Sequence, residues 1–210
     1  MYSKADLTKD KILINARKEF LEVGFHKASM RKIASLAQVT TGAIYRYYPD
    51  KEALFMAATE DAVTALHSIY GDMTEVALKD ISEGKRYNPE VSLTNLSQLF
   101  DLVYEYFDQF YLLVVCSEES VKEGFIHQIV EEETASTREY LKRLKEYYHS
   151  AYDIDETTLH ILIEAFVSAL LEPIRHRMGK EEAMKHIEVM GEFFTDGWAG
   201  IEKKICGTPQ

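Results

Sequence analysis

Apolar residues recur every three or four positions along most of this chain, and that spacing leaves little room for anything but helices. In residues 50–78, for example, one helical face is formed by Leu54, Phe55, Ala58, Ala62, Leu66, Ile69 and Met73. No stretch shows the sustained alternation of apolar and polar residues that indicates a half-buried strand. Proline and glycine contribute only 14 of the 210 residues, so turn signals are few. We therefore predict an all-α fold built from long helices.

Capping residues indicate where the predicted helices begin and end. Ser29 suits the start of a short second helix, and Thr40 or Thr41 the start of a third. The third helix should stop at Tyr48, because Pro49 disfavours helical geometry in the residue before it. Further helices are predicted over about 50–78, 89–116, 118–148, 155–178 and 180–204.

The charges of the chain are unevenly distributed. The whole sequence carries a formal charge of −11, which by itself argues against a nucleic-acid ligand. Residues 1–48 nevertheless contain nine lysines and arginines against four acids, so the remaining 162 residues carry −16. A small basic head on an acidic body is typical of a module that binds a polyanion. A basic solvated surface would show the same charges, so charge alone leaves that alternative open.

Two late helices carry more apolar surface than one buried face requires. In the helix over 155–178 a second apolar face contains Ile161, Ala165 and Ala169, and Gly179 is the expected end of this helix. The last helix has a long apolar stripe that includes Ile187, Met190, Phe194, Trp198 and Ile201. A helix that is apolar beyond one stripe must bury two sides. We predict that these residues form the interface of a homodimer, with a fully internal helix as the alternative.

Residues 29–48 have the pattern of a helix-turn-helix motif. Ala34 is small where the two helices must cross closely, and Val39 can fill the core between them. The second helix would present Thr41, Gly42, Ala43, Tyr45, Arg46 and Tyr47. Such a helix enters the major groove of DNA, where hydroxyl groups and an arginine can bind bases or phosphates. The pattern therefore favours double-stranded DNA as a partner.

The stretch Ile12–Lys51 resembles the DNA-binding head of the TetR (AcrR-like) transcriptional regulators. Its most specific part is Gly-x-Ile-Tyr-x-Tyr-Tyr-x-x-Lys-Glu-x-Leu over residues 42–54. The resembling residues are Ile12, Ala16, Phe20, Gly24, Phe25, Ile33, Ala34, Ala37, Val39, Gly42, Ile44, Tyr45, Tyr48, Lys51 and Leu54. The resemblance covers about the first quarter of the chain. In two departures, Pro49 replaces a more usual polar residue, and Arg46 occupies a variable position, so the operator sequence does not carry over.

The resemblance implies a three-helix helix-turn-helix head over residues 1–50, joined by a long helix to a helical ligand-binding and dimerisation domain over 51–210. In that family the last two helices form the dimer, and a small molecule moves the fourth helix so that the protein leaves a palindromic operator. By position, the DNA contacts would be Arg31, Thr40, Thr41, Gly42, Ala43, Tyr45, Arg46, Tyr47 and Lys51. The expected function is that of a dimeric repressor with a small, lipophilic effector. A protein-interaction module of the same fold, without sequence-specific DNA binding, is the alternative.

Aromatic residues at helical spacing are the candidates for the lining of the effector pocket that the resemblance implies. They are Tyr70, Phe100, Tyr104, Phe107, Tyr111 and Phe166, together with His127. Such residues more often belong to a plain core, and that alternative stays open. Apolar walls with a few polar groups suit a lipophilic ligand, and an acid that faces them would favour a cation.

Other classes of protein are not indicated. The longest apolar run, Phe110 to Cys116, is far shorter than the roughly 20 residues of a membrane-spanning helix, and the N-terminus lacks the apolar segment of a secretory signal. Cys116 and Cys206 match neither a metal site nor a disulfide scaffold. We therefore expect a reduced, cytoplasmic protein that uses no metal or other cofactor. No nucleophile, base and acid stand at a recognisable spacing, so we do not expect an enzyme.

Overall fold

A computed structural model describes residues 4–85 and 88–207, and within these ranges the regular elements are all helical. The helices are α1 (Lys4–Lys27), α2 (Met30–Leu36), α3 (Thr41–Tyr45), α4 (Lys51–Ser82), α5 (Pro89–Glu105), α6 (Phe107–Tyr111), α7 (Glu119–Tyr148), α8 (Glu156–Arg175) and α9 (Lys180–Cys206). A π-helical turn (Leu112–Cys116) directly follows α6. The predicted all-α class is confirmed.

The chain forms two compact units. The first contains residues 4–65 and 105–125, which include α1 to α3, the first half of α4, α6, the π-helical turn and the start of α7. The second contains residues 66–104 and 126–207, which include the rest of α4, α5, most of α7, α8 and α9. The assignment of separate domains to 1–50 and 51–210 stays a prediction.

An aromatic cluster holds the first unit together. Phe20 and Phe25 of α1 pack against Phe55 of α4, with ring centroids 5.0 and 5.3 Å apart and the rings edge to face. Ile33 of α2 and Ile44 of α3 are fully buried, and α2 packs against both α1 and α3. The short helices of the head are therefore fixed by apolar contacts rather than by their own length, which is too small for independent stability.

The helix predicted over 89–116 is interrupted in the structure. Tyr106 leaves helical geometry (φ −107°, ψ 27°), so that α5 ends at Glu105 and α6 begins at Phe107. The π-helical turn that follows packs against α1 and buries Leu112 and Leu113. The sequence pattern predicted one helix here because its apolar spacing continues through the break, and neither proline nor glycine marks it.

Four helices end with the same arrangement of hydrogen bonds. One or two residues after the helix, a residue with a positive φ donates its N–H to a carbonyl three residues back, and the next N–H donates to a carbonyl five residues back, as in a Schellman motif. These residues are Gln38 after α2, Gly84 after α4, His149 after α7 and Arg177 after α8. Helix α8 therefore ends before Gly179, which instead takes the N-cap position of α9.

Helix α8 is long and apolar enough to cross a membrane, judged by length and composition, and no other helix in the described ranges meets both criteria. The sequence prediction that no such helix exists rested on unbroken apolar runs, whereas α8 intersperses polar residues among its apolar ones. Leu159, Ile163, Val167 and Leu171 of α8 are buried within the protein. Buried residues make up 33% of its apolar stretch, and one helix of this length and composition is weak evidence of a membrane span.

Candidate functional site

Helices α2 and α3 and the turn between them form the helix-turn-helix motif. Gln38 adopts a φ of 57°, and the N–H of Val39 donates to the carbonyl oxygen of Ala34 at 3.0 Å, which reverses the chain over a few residues. The side-chain oxygen of Thr40 accepts a hydrogen bond from the N–H of Ala43 at 3.1 Å and so caps α3. Because Ile44 is fully buried, the rest of α3 is turned outward.

The residues predicted to contact DNA lie on this motif and differ in accessibility. The exposed ones are Arg31, Thr40, Gly42, Tyr45 and Arg46, and Tyr45 keeps 50% of its surface accessible. The half-buried ones are Thr41, Ala43, Tyr47 and Lys51. The outer surface of α3 thus combines hydroxyl groups, a small-residue pair and a guanidinium, which are groups that major-groove readers use.

Arg46 and Tyr47 form an ordered basic and aromatic surface at the end of α3. The guanidinium of Arg46 donates to the hydroxyl of Tyr47 at 2.9 Å and lies 5.0 Å from the centroid of its ring. Lys9 of α1 approaches the same ring, with its ammonium 5.5 Å from the centroid. A guanidinium has five N–H donors, so this contact orients Arg46 and leaves further donors for a phosphate or a base edge.

Lys51 is engaged inside the first unit. Its ammonium donates to the carbonyl oxygens of Phe25, His26 and Ala28 at 2.7, 3.1 and 3.4 Å, and it lies 4.5 Å from the centroid of the Phe25 ring. Helix α1 is interrupted at Gly24 (φ 76°, ψ 166°), and the short turn that follows ends with carbonyl groups that need partners outside the helix. Lys51 therefore connects the end of α1 to the start of α4, a role that sequence spacing alone did not reveal. Its assignment as a DNA contact stays a prediction.

A cavity of about 300 Å³ lies within the second unit. Its walls come from α4, α5, α7, α8 and α9, and the aromatic side chains that line it are Tyr70, Tyr140, Phe166, Phe194 and Trp198. Exposed residues at its rim include Val76, Lys85, Asn88 and Val91. Small-molecule sites are typically concave and largely apolar, with volumes from roughly 300 Å³ upward. The cavity is therefore large enough for a small organic ligand.

The structure places two of the seven predicted pocket residues, Tyr70 and Phe166, in the lining of this cavity. The other five lie elsewhere. Phe100 is packed in a cluster with Leu96 and Ile187, and the Tyr104 hydroxyl donates to the carbonyl oxygen of Met178 at 2.8 Å. Phe107 and Tyr111 belong to the first unit, where their rings stack, and His127 is exposed on α7.

Two glutamates that the sequence did not single out face the cavity. Glu133 of α7 accepts hydrogen bonds from the hydroxyl groups of Tyr70 and Thr137, the latter at 3.3 Å, and Glu202 of α9 accepts one from the hydroxyl of Tyr140. Burial raises the pKa of the Glu133 carboxyl above its usual value, and the two hydrogen bonds reverse only part of that effect. The pKa of Tyr70 is also raised, first by burial and then by the charge of Glu133.

Exposed apolar side chains occur on the last two helices. Ile161 of α8 is 57% exposed, and Val189 and Phe193 of α9 are 66% and 72% exposed. Val189 and Phe193 lie one turn apart, roughly opposite the buried Ile187 and Gly191 on the helix. An exposed phenylalanine next to other apolar residues is unusual on a monomer surface and typical of an interface.

The predicted dimer residues divide into an inner and an outer set. Ile161 and Ala165 are exposed, and Ala169, Met190 and Ile201 are half-buried. Ile187 is buried in the core, and Phe194 and Trp198 line the cavity. The sequence analysis followed the longest apolar stripe of α9, which faces inward. It overlooked Val189 and Phe193. These two apolar residues are four positions apart, so they share a second face of α9 outside that stripe, and this spacing was visible in the sequence.

Comparisons with known proteins agree with this arrangement. Residues 12–58 match the family model described as "Bacterial regulatory proteins, tetR family". The transcriptional regulator UidR of Escherichia coli K12 is 40% identical over 57 residues, which are 27% of this chain and 29% of UidR, so the match spans less than a third of that relative. The probable transcriptional regulator YttP of Bacillus subtilis is 31% identical over 144 residues, which cover 64% of this chain and 68% of YttP.

Solved structures share the fold over nearly the whole chain. NalD of Pseudomonas aeruginosa, described as the secondary repressor of a multidrug efflux pump, superposes with a TM-score of 0.60 at 19% identity, over 90% of this chain and 97% of that one. A regulator from Bordetella parapertussis gives a TM-score of 0.61 at 18% identity, over 91% and 96%. At these identities the likeness shows the fold alone. UidR and YttP are both named as transcriptional regulators, which agrees with the prediction that this chain is not an enzyme.

Proposed function

The chain belongs to the TetR family of bacterial regulatory proteins, and on that basis we propose that it is a dimeric DNA-binding repressor that a small molecule releases from its operator. The observation that carries the proposal is the outward face of α3 in a complete helix-turn-helix motif. On that face Arg46 is exposed and held in place by Tyr47. The basic character of residues 1–48 supports the same partner, because phosphate contacts supply much of the affinity for DNA.

The proposal is tested by binding to DNA from the region upstream of the protein's own gene. Fluorescence anisotropy is measured at physiological salt with an excess of competitor DNA. We expect saturable, sequence-selective binding of two chains per near-palindromic site, with half-sites about 34–36 Å apart or a multiple of that distance. If upstream DNA fails, selection from random sequences should still enrich a palindrome. The absence of any enrichment would favour the alternative, a protein-interaction module.

Arg46 is the residue that most directly tests base reading. If it contacts a base edge, Arg46→Ala should weaken operator binding by about 1–3 kcal/mol and relax the preference at one position of the site. Lys142→Ala is the matched control, because it removes one exposed positive charge from the second unit. An equal loss of affinity on every sequence would instead make Arg46 a phosphate contact.

Dimerisation through α8 and α9 is part of the proposal. It is supported by the exposure of Ile161, Val189 and Phe193, which form apolar surface without a described covering element. A dimer that presents two heads explains how a short helix such as α3 gains enough contacts for a specific site, since each head reads only one half-site. The effector role is supported by the cavity of the second unit, whose aromatic lining suits an organic ligand.

A further inference from the structure

We propose that Lys9 of α1 is a further DNA-binding residue, which contacts a backbone phosphate and is coupled to Arg46 through the ring of Tyr47. This inference rests on the DNA-binding function proposed above. It adds α1 to the predicted DNA-binding surface, whose other residues lie on or beside α2, α3 and the start of α4. It follows from the position of two cations beside one aromatic ring at the end of α3.

The ring of Tyr47 contacts a cation from each of two helices. The ammonium of Lys9 lies 5.5 Å from the ring centroid, and the guanidinium carbon of Arg46 lies 5.0 Å from it. Lys9 stands near the start of α1, whereas Arg46 is the C-cap residue of α3. Both cationic side chains are exposed, and Tyr47 is half-buried. The ring therefore joins two exposed charges of the first unit that are distant in sequence.

Two cations held beside one ring form a surface that suits an anion. Like charges repel each other, and an anion that approaches both relieves that repulsion. A ring attracts an ammonium without offering it an oxygen acceptor, so this contact does not take the place of a phosphate. The hydroxyl of Tyr47 accepts a hydrogen bond from Arg46 at 2.9 Å and retains its own O–H as a donor. An ammonium, a guanidinium and a hydroxyl are therefore collected at one place.

A DNA phosphate is the anion that fits this place, because the three groups continue the outer face of α3. A helix that enters the major groove is flanked by the backbones of both strands, and side chains beside it meet phosphates more often than bases. The ammonium of Lys9 is a compact, strongly hydrated charge that suits a phosphate. The planar guanidinium of Arg46 can read a base edge as well. The ring of Tyr47 would then hold a phosphate contact and a base contact in a fixed relation.

The test compares variants of the full chain on two DNA duplexes of equal length over a range of salt concentrations. One duplex carries the palindrome that the wild-type protein enriches from random sequences, and the other is unrelated to it. Lys9→Ala should weaken binding to both by about tenfold and lower the salt slope by about one, because phosphate contacts are independent of sequence. Lys11→Ala is the matched control. Lys11 is also exposed on α1 but lies about 200° around the helix from Lys9, so its loss should leave the slope unchanged.

Two variants of Tyr47 assign the coupling to its ring. Tyr47→Phe removes the hydroxyl and keeps the ring, so Lys9→Ala should weaken binding as much in this background as in the wild-type protein. Tyr47→Leu removes the ring as well, so the loss caused by Lys9→Ala should become smaller by about threefold or more. Lys9→Ala and Arg46→Ala should likewise be non-additive on the palindrome. Circular dichroism confirms that the variants are folded. If Tyr47→Leu does not fold, the pair of exposed residues Lys9 and Arg46 still measures the coupling.

The inference is overturned if Lys9→Ala leaves affinity and salt slope unchanged on both duplexes, or if its effect is the same in the Tyr47→Leu background as in the wild-type protein. Sequence-selective binding that Lys9→Ala does not alter contradicts the role of Lys9 and leaves the proposed regulator standing. If no palindrome is enriched, the proposed regulator is contradicted, and the unrelated duplex alone decides on Lys9. A protein that binds no duplex contradicts both.

Discussion

Among single residues, Lys51 illustrates how local partners determine what a charged side chain does. Its ammonium donates to the carbonyl oxygens of Phe25 and His26 in the last turn of α1 and to that of Ala28 just after it. If the ammonium turned toward a DNA phosphate, those carbonyls would lose their charged partner, so the phosphate contact would have to offset that loss. The geometry favours a structural role for Lys51.

Replacement of Lys51 by methionine separates the two roles. Lys51→Met should lower the free energy of unfolding by about 1–3 kcal/mol, since charge-assisted hydrogen bonds are lost, and leave the salt dependence of DNA binding unchanged. Thermal unfolding and binding at several salt concentrations measure the two effects. Exposed Arg31 on α2, a predicted DNA contact, provides the comparison: if it contacts a phosphate, Arg31→Ala should lower the slope by about one without a change in stability. If Lys51→Met lowered the salt dependence of DNA binding and left the free energy of unfolding unchanged, Lys51 would be a DNA contact.

Glu133 makes stability depend on pH with a defined sign. Burial raises the pKa of its carboxyl in the folded protein above the unfolded value, so folding favours the protonated form. The free-energy cost of keeping an ionised Glu133 buried is absent at pH values below the pKa of the unfolded state. It is complete at pH values above the pKa of the folded state. Between them, stability falls by at most about 1.4 kcal/mol per pH unit for one such group. Glu133→Gln should therefore gain stability relative to the wild-type protein as pH rises from the acidic range, as measured by chemical denaturation. A constant difference across pH would contradict this assignment.

At the level of helices, the ends carry strain that the interiors do not. Gln38, His149 and Arg177 all adopt a positive φ, where a Cβ is unfavourable and glycine is not. Gly84 occupies the equivalent position after α4, with a φ of 72°. Three of the four Schellman ends are therefore closed by a residue type that is not the most stable choice there.

Glycine should stabilise these ends. We expect His149→Gly and Arg177→Gly each to raise the free energy of unfolding by about 0.5–1 kcal/mol, through relief of the left-handed conformation. His149→Ala is the control: it removes the imidazole but keeps the Cβ, so it should bring no gain. Gly84→Ala should be destabilising, because a φ of 72° is unfavourable for a residue with a Cβ and the new Cβ would also have to displace the hydroxyl of Tyr147. Urea unfolding of the four variants tests the set.

Local signals predicted the helices well where a cap made them explicit. Thr40 accepts from the N–H of Ala43 at 3.1 Å, so α3 begins at a cap predicted from sequence, and Asp50 accepts from the N–H of Ala53 at 2.7 Å, so α4 begins near the predicted start of the helix over 50–78. The break at Tyr106 and the end of α8 had no such signal. Tyrosine and arginine are ordinary helix residues, and tertiary packing overrides their preference. The cavity was equally inaccessible to sequence analysis, because five helices distant in the chain enclose it.

At the level of the whole molecule, the exposed surface of α9 makes the assembly state testable. Phe193→Glu places a charge at the most exposed of the large apolar side chains in the described ranges. We expect it to weaken the dimer by about 2 kcal/mol or more, as for a central interface aromatic, and to reduce operator binding with it. Analytical ultracentrifugation measures the dimer. Met56→Glu, an exposed apolar position of the first unit, should leave the dimer intact. If the Phe193→Glu variant remains a dimer, the interface does not include this surface of α9.

The first unit is assembled from two separate stretches of the chain, and this affects how such a protein can evolve. An exchange of gene segments at the Pro49 turn would deprive the incoming head of Leu54, Phe55 and Ala58, which are buried parts of its core. An exchange placed after residue 65 would still lack residues 105–125. A new DNA specificity is therefore reached more readily by substitutions on the outer face of α3, which leave both stretches matched, than by the transfer of a whole head between relatives.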